Sequence, residues 1–516
     1  MIQSFIVTMP SKLVLFSHQV PAFKRNIEIY KSNFGAINTS EPGSGKTYLS
    51  MALALASGYK LVVICPAGTI NTWMEDTEKY GIDLIVLSYS VIASKHNKLS
   101  HPYLTKNNDE YFATEELTKL IQQKILLVFD ESHDVKNPKS NCTKACHAMV
   151  KELVKVNNGS RTLLLSATPL DKEIYVESVL KLLGIINCNE LYHYELGKRI
   201  YFMRGYGYEQ VYNYAYQRNK VLAQKLYPVI LKSKNILESL FNLYVKIIKF
   251  EVGYSMSSPI IDAKNISENH FYKLDPNDAP IMKRGLSELK DAIMYSDDGN
   301  FNYNPKGIAK VIKSMMIIEL SKVNLFCTLV NKVLTTVPNS KVILYVWYDN
   351  TVEELLSKLS HFNPLRCDGK VDKNKRAIYR KLFQEPNLNY RLIIAKPTSF
   401  GRSIGLHDIH GGFPRYTFIN PNFSFNAITQ SAGRTYRVGT KSDARVILTY
   451  ITDTDENKII YALSRKSDIT RKCLASIVSE NDDDPESILE SESDSTEIDP
   501  KNKLKFVDHW PNVYNN

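Results

Sequence analysis

A short glycine-rich segment, Ser40-Glu-Pro-Gly-Ser-Gly-Lys-Thr47, constrains the fold of this 516-residue chain more than any other feature. A helical run of apolar residues, Tyr48-Leu-Ser-Met-Ala-Leu-Ala-Leu-Ala56, follows it directly. Gly43 and Gly45 allow the backbone to approach a bound group closely, and the N–H groups at a helix N-terminus favour an anion. The segment therefore predicts a phosphate-binding loop that leads into a helix, although Ser40 stands at the first position, where the usual pattern has glycine.

The residue types in this loop also predict its ligands. We expect Lys46 to reach the β- and γ-phosphates of a nucleotide and the Thr47 hydroxyl to ligate Mg²⁺. The alternative is an ordinary strand-to-helix junction that binds nothing, and the surrounding sequence has to decide between the two. The predicted nucleotide contacts are Ser40, Glu41, Pro42, Gly43, Ser44, Gly45, Lys46 and Thr47.

A second motif follows at a suitable distance along the chain. Ile125-Leu-Leu-Val-Phe-Asp-Glu-Ser-His133 is an apolar run that ends in two acids, as a buried parallel strand does when a ligand lies beyond its carboxyl end. We expect Asp130 to hold the magnesium ion, Glu131 to polarise the attacking water, and His133 to relay between the nucleotide and a neighbouring domain. The alternative for the two acids is a solvated strand end. Two such motifs in this order make ATP hydrolysis the leading hypothesis.

Length and composition indicate a multidomain protein without a membrane span. A chain of 516 residues is too long for one core, and 44% apolar with 23% charged residues is ordinary for a soluble globular protein. The first ten residues lack the pattern of a signal peptide, and no apolar run approaches the roughly 20 residues of a membrane span. We therefore predict an intracellular, soluble protein with no membrane partner, in cytoplasm or nucleus, or in a virion if viral.

Cysteine spacing predicts neither a disulfide framework nor a metal site. The seven cysteines are scattered along the chain. Cys142, Cys146 and His147 have a spacing that suggests metal ligands, but a fourth ligand is not evident. We interpret these three residues as positions on an ordinary helix.

The charge distribution favours a polyanionic partner. The net charge is +11, although residues 480–499 contain ten acidic residues and no Lys or Arg, so the rest of the chain is more basic still. A folded body of that charge attracts DNA or RNA. The alternative is that the charge serves only general solubility.

Alternating strand-like and helical stretches predict an α/β fold with two parallel-sheet domains. The rhythm appears twice, and its strand candidates are Leu61–Cys65, Leu84–Ser88, Ile125–Asp130, Thr162–Ser166, Lys341–Trp347, Arg391–Ala395, Arg415–Ile419 and Arg445–Ile451. We predict a first domain at 1–180, a mostly helical insertion at 181–317 with a polar loop near 275–306, a second domain at 318–478, and a disordered acidic tail at 479–516 with a short aromatic end.

Further motifs complete an ordered set. Leu61-Val-Val-Ile-Cys-Pro-Ala67 and Leu165-Ser-Ala-Thr-Pro-Leu170 belong to the first half, and Ser399-Phe-Gly-Arg-Ser-Ile-Gly-Leu406 and Gln430-Ser-Ala-Gly-Arg-Thr-Tyr-Arg437 to the second. With the two motifs above, this set resembles superfamily 2 helicases and translocases, which consist of two RecA-like domains. It is most similar to their Swi/Snf-type branch, and the size and residue usage also resemble helicases of large DNA viruses.

The resemblance implies further roles, position by position. Gln19 corresponds to the glutamine that recognises adenine, and Ser166, Thr168 and Gly405 would join His133 in coupling the nucleotide to domain closure. Gln430, Arg434 and Arg437 match the nucleotide-facing motif of the second domain, with both arginines directed at the γ-phosphate. The implied nucleic-acid contacts are Pro66, Thr69, Thr398 and Arg402.

Two segments keep alternative interpretations. The tyrosines between 201 and 216 could stack on bases, but a core of a helical subdomain is the favoured prediction. The acidic tail could be a solubilising segment, which we favour, or could occupy a basic cleft and restrain ATPase activity. Protein partners could bind through the tail or through 181–317.

These observations together predict a nucleic-acid-dependent ATPase motor that uses ATP and Mg²⁺ and moves on or remodels DNA or RNA. One alternative is an ATP-dependent RNA helicase. The alternative from another class is a non-catalytic nucleic-acid-binding or structural protein that keeps a relic nucleotide site.

Overall fold

The protein forms two compact units in a computed structural model. The structure describes residues 13–94, 101–188, 191–196, 200–229, 232–257, 261–292, 294–295, 301–302, 305–400, 405–452, 454 and 456–474. Of these, the first unit contains residues 13–257 and 468–474, and the second contains residues 261–467.

The first unit is built on a parallel six-stranded sheet. The order of its strands is β10-β1-β7-β6-β2-β3, and two antiparallel hairpins, β4–β5 and β8–β9, lie outside this sheet. The strands are β1 (Gly35–Asn38), β2 (Lys60–Cys65), β3 (Leu84–Ser88), β4 (Leu104–Asn107), β5 (Glu110–Ala113), β6 (Ile125–Asp130), β7 (Arg161–Leu165), β8 (Tyr192–Leu196), β9 (Ile200–Arg204) and β10 (Gly253–Tyr254).

Helices cover both faces of this sheet because its central strands are apolar on both sides. Along β6, Leu127 and Phe129 belong to one buried cluster, and Leu126 and Val128 belong to another. The helices are α1 (Val20–Ser32), α2 (Lys46–Ser57), α3 (Ile70–Lys79), α4 (Tyr89–Ile92), α5 (Glu115–Gln122), α6 (Asn141–Val156), α7 (Val176–Leu182), α8 (Tyr206–Arg218), α9 (Lys220–Lys225), α10 (Ser233–Leu243) and α11 (Lys249–Val252), with 3₁₀ turns at Ser17–Gln19, Ser132–Val135 and Glu173–Tyr175 and a π-helical turn at Tyr244–Ile248.

The second unit repeats the same architecture. Its parallel six-stranded sheet has the order β11-β18-β17-β14-β16-β15. The strands are β11 (Asn265–Tyr272), β12 (Met294–Tyr295), β13 (Phe301–Asn302), β14 (Lys341–Tyr345), β15 (Leu365–Cys367), β16 (Leu392–Ala395), β17 (Arg415–Ile419) and β18 (Ala444–Ile451). The helices are α12 (Ala279–Ala292), α13 (Pro305–Leu320), α14 (Val323–Thr336), α15 (Asp349–Lys358), α16 (Lys373–Gln384), α17 (Pro397–Phe400), α18 (Phe425–Ala432) and α19 (Asn457–Cys473), with a 3₁₀ turn at Ser360–Phe362.

The end of α19 belongs to the core of the first unit. From Asp468 onward this helix is part of that unit, and the Cys473 side chain is fully buried in the same apolar cluster as Tyr244. The Thr470 hydroxyl donates to the carbonyl oxygen of Leu170 at 2.7 Å. The first unit therefore consists of residues that precede the second unit in the sequence and residues that follow it.

The predicted α/β class with two parallel sheets is confirmed, and all eight predicted strands exist. The segment predicted as one insertion, 181–317, is divided between the units, because β10 joins the first sheet whereas β11 joins the second. The polar stretch near 275–306, predicted as a loop, contains α12, whose Met282, Leu286 and Leu289 are buried. These apolar residues recur every three to four positions, which is sufficient for an amphipathic helix despite the polar composition.

Other predictions have simple outcomes. Cys142, Cys146 and His147 do lie on one ordinary helix, α6, and all seven cysteines are free thiols. Tyr208, Tyr212, Tyr214 and Tyr216 of α8 are packed in or against the apolar core, as the favoured interpretation predicted, whereas Tyr206 at the start of the helix is exposed. No helix in the described part of the chain is long and apolar enough to cross a membrane. The acidic tail lies outside the described residues.

Candidate functional site

The predicted nucleotide residues of the first unit meet at one edge of its sheet. Strand β7 lies between β1 and β6, and their last residues are neighbours: Asn38 pairs with Leu165, and Leu165 pairs with Asp130. The phosphate loop follows β1, Ser166 follows β7, and Asp130 ends β6. Adjacent strands lie about 4.8 Å apart, so three motifs that are far apart in the sequence form one site at the carboxyl edge.

The phosphate loop depends on two glycines with positive φ. Gly43 has φ of 84° and Gly45 has φ of 89°, in the region that favours glycine. Gly45 also lies against the side chain of Gln19, since a Cβ atom at position 45 would come within 2.4 Å of Gln19 Nε2. The loop conformation at Gly45 therefore excludes a side chain for two independent reasons.

Gln19 is buried beneath the loop and bonded to it. Its Nε2 donates to the carbonyl oxygens of Ser44 at 3.3 Å and Gly45 at 3.4 Å, and its Oε1 accepts from the N–H of Phe16. His18 Nε2 lies 3.2 Å from the Ser44 carbonyl oxygen. The structure thus gives Gln19 a loop-supporting contact, and adenine recognition by the same amide stays a prediction.

Lys46 is the first residue of α2 and lies folded over the loop. Its Nζ donates to the carbonyl oxygens of Ser40 and Glu41, both at 2.8 Å. To reach a phosphate, the ammonium group has to exchange these carbonyl oxygens for phosphate oxygens. Thr47 is the second residue of the same helix, and its role as a ligand of Mg²⁺ stays a prediction.

Asp130 has a partner that the sequence analysis did not assign to the site. The indole Nε1 of Trp73, a residue on α3, donates to Asp130 Oδ2 at 2.9 Å, and the Tyr89 hydroxyl donates to the Asp130 carbonyl oxygen at 2.8 Å. Burial, together with the adjacent charge of Glu131, raises the pKa of Asp130 from 3.8 to about 6, while the Trp73 N–H and Lys46 oppose that rise. A signal was present, because Trp73 follows the motif that ends β2, but no local pattern pairs it with Asp130.

Glu131, His133 and Ser166 form a continuous chain of contacts. Glu131 has φ of 53°, a left-handed backbone that directs the chain into the 3₁₀ turn carrying His133. His133 Nδ1 lies 3.4 Å from Glu131 Oε2 and 3.1 Å from Ser166 Oγ, and Ser166 Oγ accepts from the N–H of Thr168 at 3.2 Å. The structure therefore brings together Glu131 and the three residues of this unit that were predicted for coupling, His133, Ser166 and Thr168.

The predicted residues of the second unit lie on and after α18. Gln430 is on this helix, and both Gln430 and Arg434 are buried, with only 3% of Arg434 exposed. Arg437 is half-buried, and its Nε donates to the Gly433 carbonyl oxygen at 3.0 Å. The carbonyl oxygen of Gly405 accepts from Gln384 Nε2 at 3.0 Å, and a Cβ at position 405 would lie 4.0 Å from Arg437 Nη1.

A buried polar cluster in the second unit was not predicted. It comprises Glu319, Lys322, Asn420 and Glu456, all at most 1% exposed. Lys322 Nζ donates to Asn420 Oδ1 at 3.1 Å and to a carboxylate oxygen of Glu456, while Asn420 Nδ2 donates to Glu319 at 2.9 Å. Burial raises the pKa of Glu319 to about 7. Because Asn420 directly follows β17, the cluster holds the start of the segment that leads into α18.

The predicted nucleic-acid contacts are only partly accessible. Pro66 and Thr69 are buried, and the Thr69 hydroxyl donates to the Pro66 carbonyl oxygen at 2.9 Å. Ala67 and Gly68, between them, are exposed. Thr398 is exposed on α17, and Arg402 lies outside the described residues.

Comparisons with known proteins agree with the order of motifs. Residues 18–251 match the model of the SNF2-related domain. The chain is 26% identical over 491 residues to "Putative ATP-dependent RNA helicase L364" of Acanthamoeba polyphaga mimivirus, covering 92% of this chain and 84% of the viral protein. It is 26% identical over 183 residues to nuclear protein STH1/NPS1 of Saccharomyces cerevisiae, covering 32% of this chain and 13% of the yeast protein.

A solved structure, the SWI2/SNF2 ATPase core of Sulfolobus solfataricus in complex with dsDNA, aligns over 90% of this chain and 94% of that one, at a TM-score of 0.30 and 16% identity. The family model and the two relatives carry the assignment. The resemblance to the Swi/Snf-type branch of superfamily 2 is thereby confirmed, since residues 18–251 match the SNF2-related domain and both relatives are similar to this chain in sequence.

Proposed function

We propose that this protein is a nucleic-acid-dependent ATPase motor that converts ATP and water to ADP and phosphate while it moves on or remodels DNA or RNA. The observation that carries the proposal is the carboxyl edge of the first sheet. There the phosphate loop, the Asp130–Glu131 pair and the His133–Ser166 contact follow three adjacent strands. The SNF2-related domain covers this whole site.

Lys46 and the loop N–H groups bind and orient the triphosphate in this proposal. Phosphoryl transfer requires mainly positioning and neutralisation of charge, and a lysine at a helix N-terminus supplies both. Lys46 is already directed into the loop, on the carbonyl oxygens of Ser40 and Glu41, so a short movement of its ammonium group reaches a bound phosphate.

Glu131 acts as the general base that takes a proton from the attacking water. His133, which lies between Glu131 and Ser166, orients this carboxylate and transmits its state to the Ser166–Thr168 segment. His133 is buried, so the orientation of its ring is determined by these neighbours.

The donor set fits Mg²⁺ held jointly by protein and phosphates. The Asp130 carboxylate and the Thr47 hydroxyl are oxygen ligands of the kind that this ion prefers. The phosphates of the nucleotide would supply further oxygen ligands. When bound, Mg²⁺ neutralises charge that develops on the phosphates.

Gln430, Arg434 and Arg437 complete the proposal from the second unit. We assign the two arginines to stabilisation of the transferred phosphoryl group, a contribution worth orders of magnitude in rate. Hydrolysis would then be fast only when the second unit contributes its cations, which links each turnover to a change of state.

Two alternatives compete with duplex translocation. The mimivirus relative is named as an ATP-dependent RNA helicase, which favours that activity. A relic nucleotide site on a non-catalytic protein is the alternative from another class, and the intact Lys46, Asp130 and Glu131 argue against it. We favour duplex translocation over both alternatives, because the match to the SNF2-related domain supports it.

Phosphate release should be measured with double-stranded DNA, single-stranded DNA and RNA as separate activators. We expect at least one to stimulate hydrolysis, and Lys46→Ala and Glu131→Gln to abolish it while the circular dichroism spectrum is unchanged. Normal hydrolysis by either variant would refute the site assignment. A triplex-displacement assay beside a duplex-unwinding assay then distinguishes a translocase from a helicase.

A further inference from the structure

The start of the phosphate loop is bonded to the segment through which the chain leaves the first unit and continues to the second. Strand β10 pairs in parallel with β1, with Asn38 opposite Tyr254. The N–H of Thr39 continues this pairing and donates to the Tyr254 carbonyl oxygen at 2.9 Å. The chain then proceeds through Met256 toward the second unit. We refer to residues 253–257 as the connector.

Ser40 extends this contact with its side chain. Its Oγ accepts a hydrogen bond from the N–H of Met256 at 2.7 Å and donates to Asn38 Oδ1, which also accepts from the N–H of Ser40 at 3.0 Å. The residue is 1% exposed. Its hydroxyl is therefore bonded within the protein, and a glycine at this position, the usual residue, could make neither bond.

The main chain of Ser40 is bonded to the cation of the site. Its carbonyl oxygen accepts from Lys46 Nζ at 2.8 Å, so the same residue contacts Lys46 on one side and the connector on the other. When Lys46 turns to a triphosphate, it has to leave the Ser40 carbonyl oxygen. Ser40 then loses its bond to Lys46 and keeps its side-chain bonds to Asn38 and Met256, so nucleotide occupancy changes the set of contacts that hold the residue next to the connector.

We propose that Ser40 is a positioning residue that couples occupancy of the phosphate loop to the connector. The inference rests on the proposed function, because it assumes that a nucleotide occupies the loop. It differs from phosphate binding itself, since the Ser40 hydroxyl faces Met256 and Asn38. Its loss should affect the transmission of the nucleotide state more than nucleotide affinity.

The test uses the full chain with Ser40→Ala and, as matched control, Ser50→Ala. Ser50 is also fully buried, but its hydroxyl donates to the Lys46 carbonyl oxygen within α2 at 2.9 Å and does not contact the connector. Amide hydrogen exchange of Met256 is measured with and without Mg²⁺–adenylyl imidodiphosphate, and affinity for that analogue is titrated directly.

We expect exchange at Met256 to be about tenfold faster in Ser40→Ala without nucleotide, as for loss of one buried hydrogen bond. We also expect that the analogue no longer changes the exchange rate of Met256 in Ser40→Ala. In Ser50→Ala, the exchange rate without nucleotide and its response to the analogue should equal those of the parent. Stimulated kcat should fall about tenfold in Ser40→Ala while affinity changes less than about threefold.

Two outcomes would overturn the inference: a Met256 response in Ser40→Ala equal to that of the parent, or a loss of affinity as large as the loss of kcat. Failure of the proposed function gives a different result. If the parent binds the analogue but does not hydrolyse ATP with any nucleic acid, the motor proposal fails, and the Met256 response still judges the role of Ser40.

Discussion

Replacing Trp73 with phenylalanine tests the carboxylate that we assign to the metal. The Trp73 indole donates to Asp130 Oδ2 at 2.9 Å from a side chain that is 1% exposed. Burial and the charge of Glu131 raise the pKa of Asp130 to about 6, and the indole N–H stabilises the ionised form against them. Trp73→Phe removes this donor and keeps an aromatic ring at the same place.

The magnitude follows from the strength of that hydrogen bond. A hydrogen bond to a charged acceptor contributes about 1.5–3 kcal/mol, and one pKa unit corresponds to about 1.4 kcal/mol. The pKa of Asp130 should therefore rise by about one to two further units in Trp73→Phe. In the proposed mechanism turnover requires ionised Asp130, so it should be lost as the pH falls through this pKa, and the loss should begin at higher pH in the variant.

The assay is the pH dependence of kcat/KM for nucleic-acid-stimulated hydrolysis, which reports ionisations of the free enzyme. The control is Trp347→Phe in the second unit, which also removes an indole hydrogen bond, from Trp347 Nε1 to the Asn420 carbonyl oxygen at 2.8 Å. We expect the acid limb to move upward in Trp73→Phe alone. An acid limb at the same pH in both variants would show that Asp130 does not control turnover as argued.

Three further predictions concern stability and the loop. Asp130→Asn should abolish hydrolysis but raise the free energy of unfolding at pH 8, measured in urea titrations, by up to about 3 kcal/mol. The reason is that the pKa of Asp130 is raised in the folded state, so the ionised carboxylate costs stability above about pH 6. An unchanged or lower free energy of unfolding would contradict this. Lys322→Met should lower the free energy of unfolding by about 3–5 kcal/mol, since it leaves the buried Glu456 carboxylate without its cation. The control Lys358→Met, at an exposed ion pair, should change the free energy of unfolding by less than about 1 kcal/mol. Equal losses in the two variants would refute the role of burial. Gly45→Ala should weaken nucleotide binding at least about tenfold in a direct titration, because its Cβ would clash with Gln19. The control Gly58→Ala is also at positive φ, but its Cβ would have no atom within 4 Å, so nucleotide binding should be unchanged.

Much of the fold could be predicted from local patterns. Short apolar or β-branched runs bounded by polar residues indicate strands, and the predicted bounds of Leu84–Ser88, Ile125–Asp130 and Arg415–Ile419 agree with the structure to the residue. The phosphate loop and the two acids at the end of β6 could also be predicted, since ligands lie beyond the carboxyl ends of parallel strands.

Other features depend on contacts between residues far apart in the chain. The strand Gly253–Tyr254 is too short to be predicted and exists because β1 offers it an edge. The bonds from Trp73 to Asp130 and from Lys322 to Glu456 join residues that are far apart in the sequence and that no local pattern pairs. Sequence patterns locate the elements and their ends, but the tertiary structure selects which side chains meet there.

The position of α19 has a consequence for biosynthesis. The first unit contains the phosphate loop near the start of the chain, but its core also includes Cys473 and the hydrogen bond from Thr470 to Leu170. The ribosome therefore has to translate the whole second unit before the first can be completed. A nascent chain stalled before Asp468 would carry every residue of the first unit's nucleotide site while the apolar surface around Tyr244 still lacked part of its cover, and chaperones bind such surfaces.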